Sequence, residues 1–199
     1  MFKSNSLISR ILNITFDIFS LSICFLIVSI LIFTTGLSYS ALYYAIDRYV
    51  LDKDPNALSG FVKALKDNYK QAIPLSIGIF IFTLLIIWAM WIAYQAIIAG
   101  DIMGRVVFSF GIIILIIFLG FVSYLFPTLA IYEYKTKELI STCFQLSIIH
   151  LPITVLFGLI LLLSIYLIYH YWILLTFLPA LLAILQNLIL KKIYKKHSV

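Results

Sequence analysis

The sequence predicts an all-α, polytopic membrane protein forming one integral domain over residues 1–199. Three observations carry this. Hydrophobic residues make up 64% of the chain and charged ones 11%, against about 45–50% and about 25% in soluble domains. The mean hydropathy is +1.14. The apolar residues also fall in runs long enough to cross a hydrocarbon core of about 30 Å, which takes around 20 helical residues. The expected layout is five full spans, one short crossing or half-span, and two amphipathic cytoplasmic helices.

The first span is Ile11 to Phe33. Asn13, Asp17, Ser20 and Cys24 recur along it at helical spacing, so one narrow stripe is polar. Asp17 and Asn13 are its candidate intramembrane polar residues. A carboxylate costs about 2.5–3.5 kcal/mol at mid-bilayer and less near the interface. Asp17 is therefore expected to reach water beside Arg10 or to make a polar contact within the bundle. Lys3 and Arg10 precede an apolar run too long for a cleavable signal, and no small-residue cleavage site follows it.

Thr34-Thr35-Gly36 is expected to break that helix. Leu37 to Val50 is then a short crossing or a half-span. The positive-inside rule favours a crossing. With the N-terminus inside and this run crossing, Arg105 is the one cationic residue of fourteen left outside.

Thr34 to Ala72 is the longest polar interruption. Its second half reads as an amphipathic helix, with Asp54 as N-cap and Pro55 at the first helical position. Leu58, Phe61, Val62, Leu65, Tyr69 and Ala72 recur at i, i+3, i+4, i+7. Lys63, Lys66 and Lys70 share one flank. Such a helix places its apolar side in lipid or protein and its ammonium groups in water. Phe61, Lys63, Leu65, Lys66, Tyr69 and Lys70 are its candidate partner-docking residues.

Ile73 to Ile98 is a span with Pro74 in its first turn, where proline is tolerated. Trp88, Trp91 and Tyr94 form an aromatic belt near its outer end. Asp101 and Arg105 lie four apart beyond the following turn and are spaced to pair. Val106 to Phe126 returns, with Gly111 and Gly120 as notches for close helix packing. Phe126-Pro127 is expected to kink or end it. Thr136 is the expected N-cap of a second amphipathic helix. Pro152 opens the next span, to about Tyr169, and the last runs from Trp172 to Leu190. Tyr166, Tyr169, Tyr171 and Trp172 form a second outer belt. KKIYKKH closes the chain on the inside.

No constellation for catalysis stands out. His150, His170 and His197 lie on different sides in this topology. Glu133 and Glu138 have no evident acid–base partner. Cys24 and Cys143 match no metal or disulfide pattern and read as small buried hydrophobes. The net charge of +6 sits between apolar runs, where it sets orientation, and no nucleic-acid motif accompanies it. The expectation is a chain without enzyme activity or cofactor, whose partner is the lipid bilayer and which binds no nucleic acid.

TTGLSYSALYY followed by FVKALKDNYKQA resembles the signature region of the YesL-like family of bacterial integral membrane proteins. FPTLAIYEYKTKELI with the following HLP, and LPALLAILQNLILKKIYKK, are similar to that family's central and C-terminal segments. The resemblance covers nearly the whole chain. Where the family often has Asn or Asp after Phe-Pro, this chain has Tyr132, Glu133 and Tyr134. The resemblance implies a place in the bacterial cytoplasmic membrane beside carbohydrate uptake. The expected role is an accessory, non-catalytic subunit docking to the permease subunits of a carbohydrate ABC importer, with both termini cytoplasmic. The alternative is a small autonomous transporter or channel, with a homo-oligomer as a further possibility.

Overall fold

The structure is a computed structural model. It describes the backbone of residues 7–52 and 57–197 and the side chains of residues 15–31, 33–48 and 57–195. Helices dominate, and no strand occurs among the described residues. They are α1 (Leu7–Ser29), α2 (Thr35–Asp52), α3 (Ala57–Ile98), α4 (Ile102–Ile131), α5 (Thr136–Ile149), α6 (Leu151–His170) and α7 (Leu178–His197). Short 3₁₀ turns, Ile32–Thr34 and Trp172–Thr176, precede α2 and α7.

Among the described residues, three helices are long and apolar enough to cross a membrane: α3, α4 and α6. Only 11% of the most apolar stretch of α3, and of α4, is buried inside the chain. Ile81, Leu84, Leu85 and Trp88 all stand exposed. So wide an apolar surface suits a lipid bilayer.

α3 corrects the expected layout most clearly. The amphipathic helix and the following span are one continuous helix of 42 residues, about 63 Å at 1.5 Å per residue. Pro74 lies inside it and is exposed. A proline removes one helical hydrogen bond, to the carbonyl four residues back. Here that carbonyl belongs to Lys70, an exposed residue. Pro127 is likewise inside α4, which continues to Ile131. The residues around it, from Ser123 to Ala130, are all buried.

The break after the first helix falls at residues 30–34, so Thr35 and Gly36 already belong to α2. Gly36 is required there, because a Cβ would collide with the Phe126 ring and the Ser76 hydroxyl. The last helix starts at Leu178 rather than Trp172, with Pro179 in its first turn, and runs on through Lys191, Lys192 and Lys195. Its apolar part is thereby shortened. Asp101 caps α4 by accepting the Met103 N–H at 3.0 Å, which gives its carboxylate a use other than the expected Arg105 pair. α5 begins at Thr136 with Lys135 as N-cap, one residue earlier than expected, and Glu138 reaches back to the Lys135 N–H.

Close contacts fix the helix directions. Gly104 packs against Ala93 and Ile97, and Gly111 against Met90, so α3 and α4 run antiparallel. Gly120 sits on the Thr154 carbonyl and Gly158 on the Ile116 carbonyl, so α4 and α6 also run antiparallel. These glycines let backbones approach as small residues do in membrane helices. Gly111 and Gly120 are the notches expected from the sequence. Gly100, at φ +84°, makes the α3–α4 turn, in the left-handed region that glycine enters without strain.

The core lies at the other end. Ala41 and Ala45 of α2 meet Ala180 and Ala183 of α7 in a cluster with Leu21, Leu42, Ile46 and Phe61. A second cluster joins Tyr43, Tyr124, Leu125, Leu139, Phe157 and Leu190. This end also collects the cationic segments. Gln71 of α3 donates to the Tyr134 carbonyl at 3.0 Å, and Tyr194 of α7 stacks edge-on to Tyr132 at 5.5 Å. Lys63–Lys70, Lys135–Lys137 and Lys191–Lys195 are therefore neighbours, while Arg105 stands at the far end with the exposed aromatic residues.

Candidate functional site

Of the expected docking residues, the structure divides core from surface. Phe61 is only 2% exposed and packs into the cluster with Ala41, Ala45 and Leu42, so its ring does not face a partner. Fully burying such a ring is worth about 1.5–3 kcal/mol. Leu65 is half-buried. Lys63, Lys66, Tyr69 and Lys70 are exposed, and Lys70 Nζ lies 5.8 Å from the Tyr69 ring centroid. The exposed apolar positions of this segment are Leu58, Val62 and Tyr69, at 47%, 48% and 46%. They share one flank of α3 at helical spacing. Lys63, Asp67 and Gln71 take the opposite flank. The amphipathic pattern therefore holds two faces, one consumed by the core and one left outside.

Between α2 and α7 the fold builds a polar seam. Tyr39, Tyr43 and Asp47 are spaced i, i+4, i+8, so they line one side of α2. Tyr39 OH donates to Gln186 Oε1. Asp47 Oδ1 accepts from Asn187 Nδ2 at 2.8 Å and pairs with Lys191 Nζ at 2.8 Å. Deeper in the bundle, Thr128 and Tyr194 hydroxyls bond at 2.8 Å. Gln186 and Asn187 are buried at 0% and 1% exposure. Four buried atoms of the seam have no hydrogen-bond partner among the described residues: Tyr43 OH, Gln186 Nε2, Asn187 Oδ1 and Lys191 Nζ, the last held by its ion pair with Asp47. Such atoms cost about 1–3 kcal/mol each when unserved.

A cleft of about 520 Å³ opens beside the seam, between α3 and the α4–α5 link. Lys63, Asp67, Asn68 and Gln71 form one wall, and Tyr132 to Lys135 the other. The link is extended: Tyr132 has φ −116° and ψ 138°. Burial, then neighbouring Tyr134 and Asp47, raise the Tyr132 phenol above its ordinary pKa. A second cavity, of about 310 Å³, is apolar and lies between Phe25, Tyr39, Ile79 and Phe126. Ser76, Thr83 and Ser123 donate to carbonyls of their own helices, Ser76 to Ala72 at 2.7 Å, and the Tyr39 hydroxyl is taken by Gln186.

The remaining expected residues lie apart from these features. Asp17 is half-buried on α1. Asn13 lies on α1, but its side chain falls outside the described residues, as do Asp54 and Pro55. Cys143 is buried and Cys24 half-buried, both as free thiols. Among the described residues, no group of three or more His, Cys, Asp or Glu is placed to hold a metal ion.

Sequence reasoning missed the seam. Gln186 and Asn187 are visible as amides near a helix end, and Asp47 as a charge closing an apolar run. Nothing in their separation along the chain joins them. The usable signal was the spacing of Tyr39, Tyr43 and Asp47, which an apolar reading of that run passes over.

No family model, curated protein or solved structure matches this chain.

Proposed function

We propose that this chain is a non-catalytic accessory membrane subunit that docks to the permease subunits of a carbohydrate ABC importer. The observation that carries docking is the exposed strip of Leu58, Val62 and Tyr69 on α3, bordered by Lys66 and Lys70. It stands where the cationic segments gather, so a partner with apolar anchors and an acidic rim complements it. The choice of an importer follows the resemblance to the YesL-like family. In this reading the protein lies in the bacterial cytoplasmic membrane with its lysine-rich end and both termini on the cytoplasmic side, and α1, α2 and the start of α7 complete the crossings begun by α3, α4 and α6. Changing Lys66 and Lys70 together to Glu tests it. Expected is loss of partner association and of sugar uptake while the variant keeps its helicity and elution volume. Full uptake in that variant contradicts it.

A second reading, a small autonomous transporter, is favoured by the seam. An interior path needs buried polar groups, and Asp47, Gln186 and Asn187 supply them. Flux of a sugar into liposomes containing this chain alone supports that reading, and the double Glu variant then conducts as the parent does.

A further inference from the structure

We propose that the cleft between α3 and the α4–α5 link is a binding site for a neutral, polyhydroxylated small molecule of mono- to disaccharide size. The proposal concerns the flank of α3 opposite the docking strip and does not rest on the importer reading.

Size comes first. About 520 Å³ lies inside the range of about 300–1,000 Å³ typical of small-molecule sites. Charge comes next. One wall carries Lys63 and Asp67, the other Glu133 and Lys135, so each wall is neutral and so is the cleft. A phosphate or carboxylate ligand finds no cationic excess here. It would also face the C-terminal end of α4, at Leu129 to Ile131, where helix carbonyls concentrate negative potential. An organic cation meets as many ammonium groups as carboxylates. An apolar ligand would strip water from four charged groups without replacing their bonds, which is costly.

Hydroxyl groups fit what remains. A hydroxyl both donates and accepts, so one can sit between an ammonium and a carboxylate and satisfy both. Asn68 is half-buried on the wall and presents an amide donor and acceptor in one plane. That matches two adjacent hydroxyls of a ring. Gln71 uses its Nε2 on the Tyr134 carbonyl and so anchors the link across the cleft. The Tyr132 and Tyr134 rings lie 5.7 Å apart with their planes 34° from each other. Together with Tyr44 and the apolar Ala64 and Leu129, they offer surface to the C–H face of a pyranose. Aromatic faces, amides and balanced charges in one concavity specify a saccharide-like solute better than any ion.

Calorimetric titration of the full chain in nanodiscs tests this. Nanodiscs are chosen because a glycoside detergent would itself compete. The probes are glucose, maltose and trehalose, with glucose 6-phosphate and glucosamine as charged controls. Expected is saturable binding of at least one neutral sugar, weaker binding of both charged controls, and a loss of about tenfold or more in Asn68→Ala. Asp67→Asn, at an exposed position, serves as the second variant and is expected to weaken binding in the same direction. Val62→Asp, on the other flank, is expected to bind as the parent does while losing partner association, so the two proposals fail separately. No saturable binding of any neutral sugar, preference for the phosphate, or unchanged affinity in both Asn68→Ala and Asp67→Asn overturns the proposal.

Discussion

Removing the Asp47 carboxylate severs two bonds of the seam at once. Asn187 Nδ2 and Lys191 Nζ each lie 2.8 Å from Asp47 Oδ1. A hydrogen bond to a charged group contributes about 1.5–3 kcal/mol. The pair is partly solvated, at 21% exposure for Asp47 and 26% for Lys191, so the lower half of that range applies to each bond. Asn187, at 1% exposure, would also be left with an unserved buried amide, which costs about 1–3 kcal/mol more. Asp47→Ala is therefore expected to destabilise the fold by about 4–7 kcal/mol. Lys191→Met keeps the apolar stem packed and leaves Asp47 bonded to Asn187, so about 1–2 kcal/mol is expected. The double variant should fall short of the sum by about 1–2 kcal/mol, the coupling of the pair. Denaturant titration of the four proteins in one detergent, followed by circular dichroism, measures this. An Asp47→Ala change within about 0.5 kcal/mol of the parent, or strict additivity, would refute the reasoning.

Other expectations follow from neighbouring features. Tyr194→Phe removes a bonded buried hydroxyl and should cost about 1 kcal/mol, whereas Tyr43→Phe removes an unpartnered one and should be neutral or stabilising in the same titration. Gly158→Ala drives a methyl into the Ile116 carbonyl and should lower stability by about 1–3 kcal/mol by parting α4 from α6; Gly78→Ala, which meets nothing, should not. Burial pushes the Cys143 thiol up to about 11 from an ordinary 9.0. The thiol is thus neutral near pH 7, and maleimide should label it only after unfolding. Because the folded value is raised, this group's contribution is complete below pH 9.0 and is lost as pH rises through about 11. A stability profile flat across that window would contradict the burial.

The sequence made the apolar spans legible because length and composition suffice for them: α3, α4 and α6 lie where Ile73–Ile98, Val106–Phe126 and Pro152–Tyr169 were expected. Helix ends were less legible, for a physical reason. Pro74 read as a first-turn residue, where the missing hydrogen bond costs nothing, and Pro127 as a kink or an end, yet both lie inside continuous helices. Phe61 read as a docking residue because periodicity shows that a face is apolar and not what covers it. α2, with its alanines at 41 and 45, claims that ring. The seam was least legible, since Tyr39–Asp47 and Gln186–Lys191 meet only through the fold. The cleft is hidden in the same way, joining Lys63–Gln71 to a link that on paper is a second polar break.

The most direct test of the docking account is recovery of the tagged chain from its native membrane in a mild, non-glycoside detergent, with the co-purifying chains identified. The account expects permease subunits of an ABC importer in fixed ratio to this chain. It expects them to disappear when Val62→Asp places a charge on the exposed strip of α3. Recovery of the chain alone, or with copies of itself only, would contradict it.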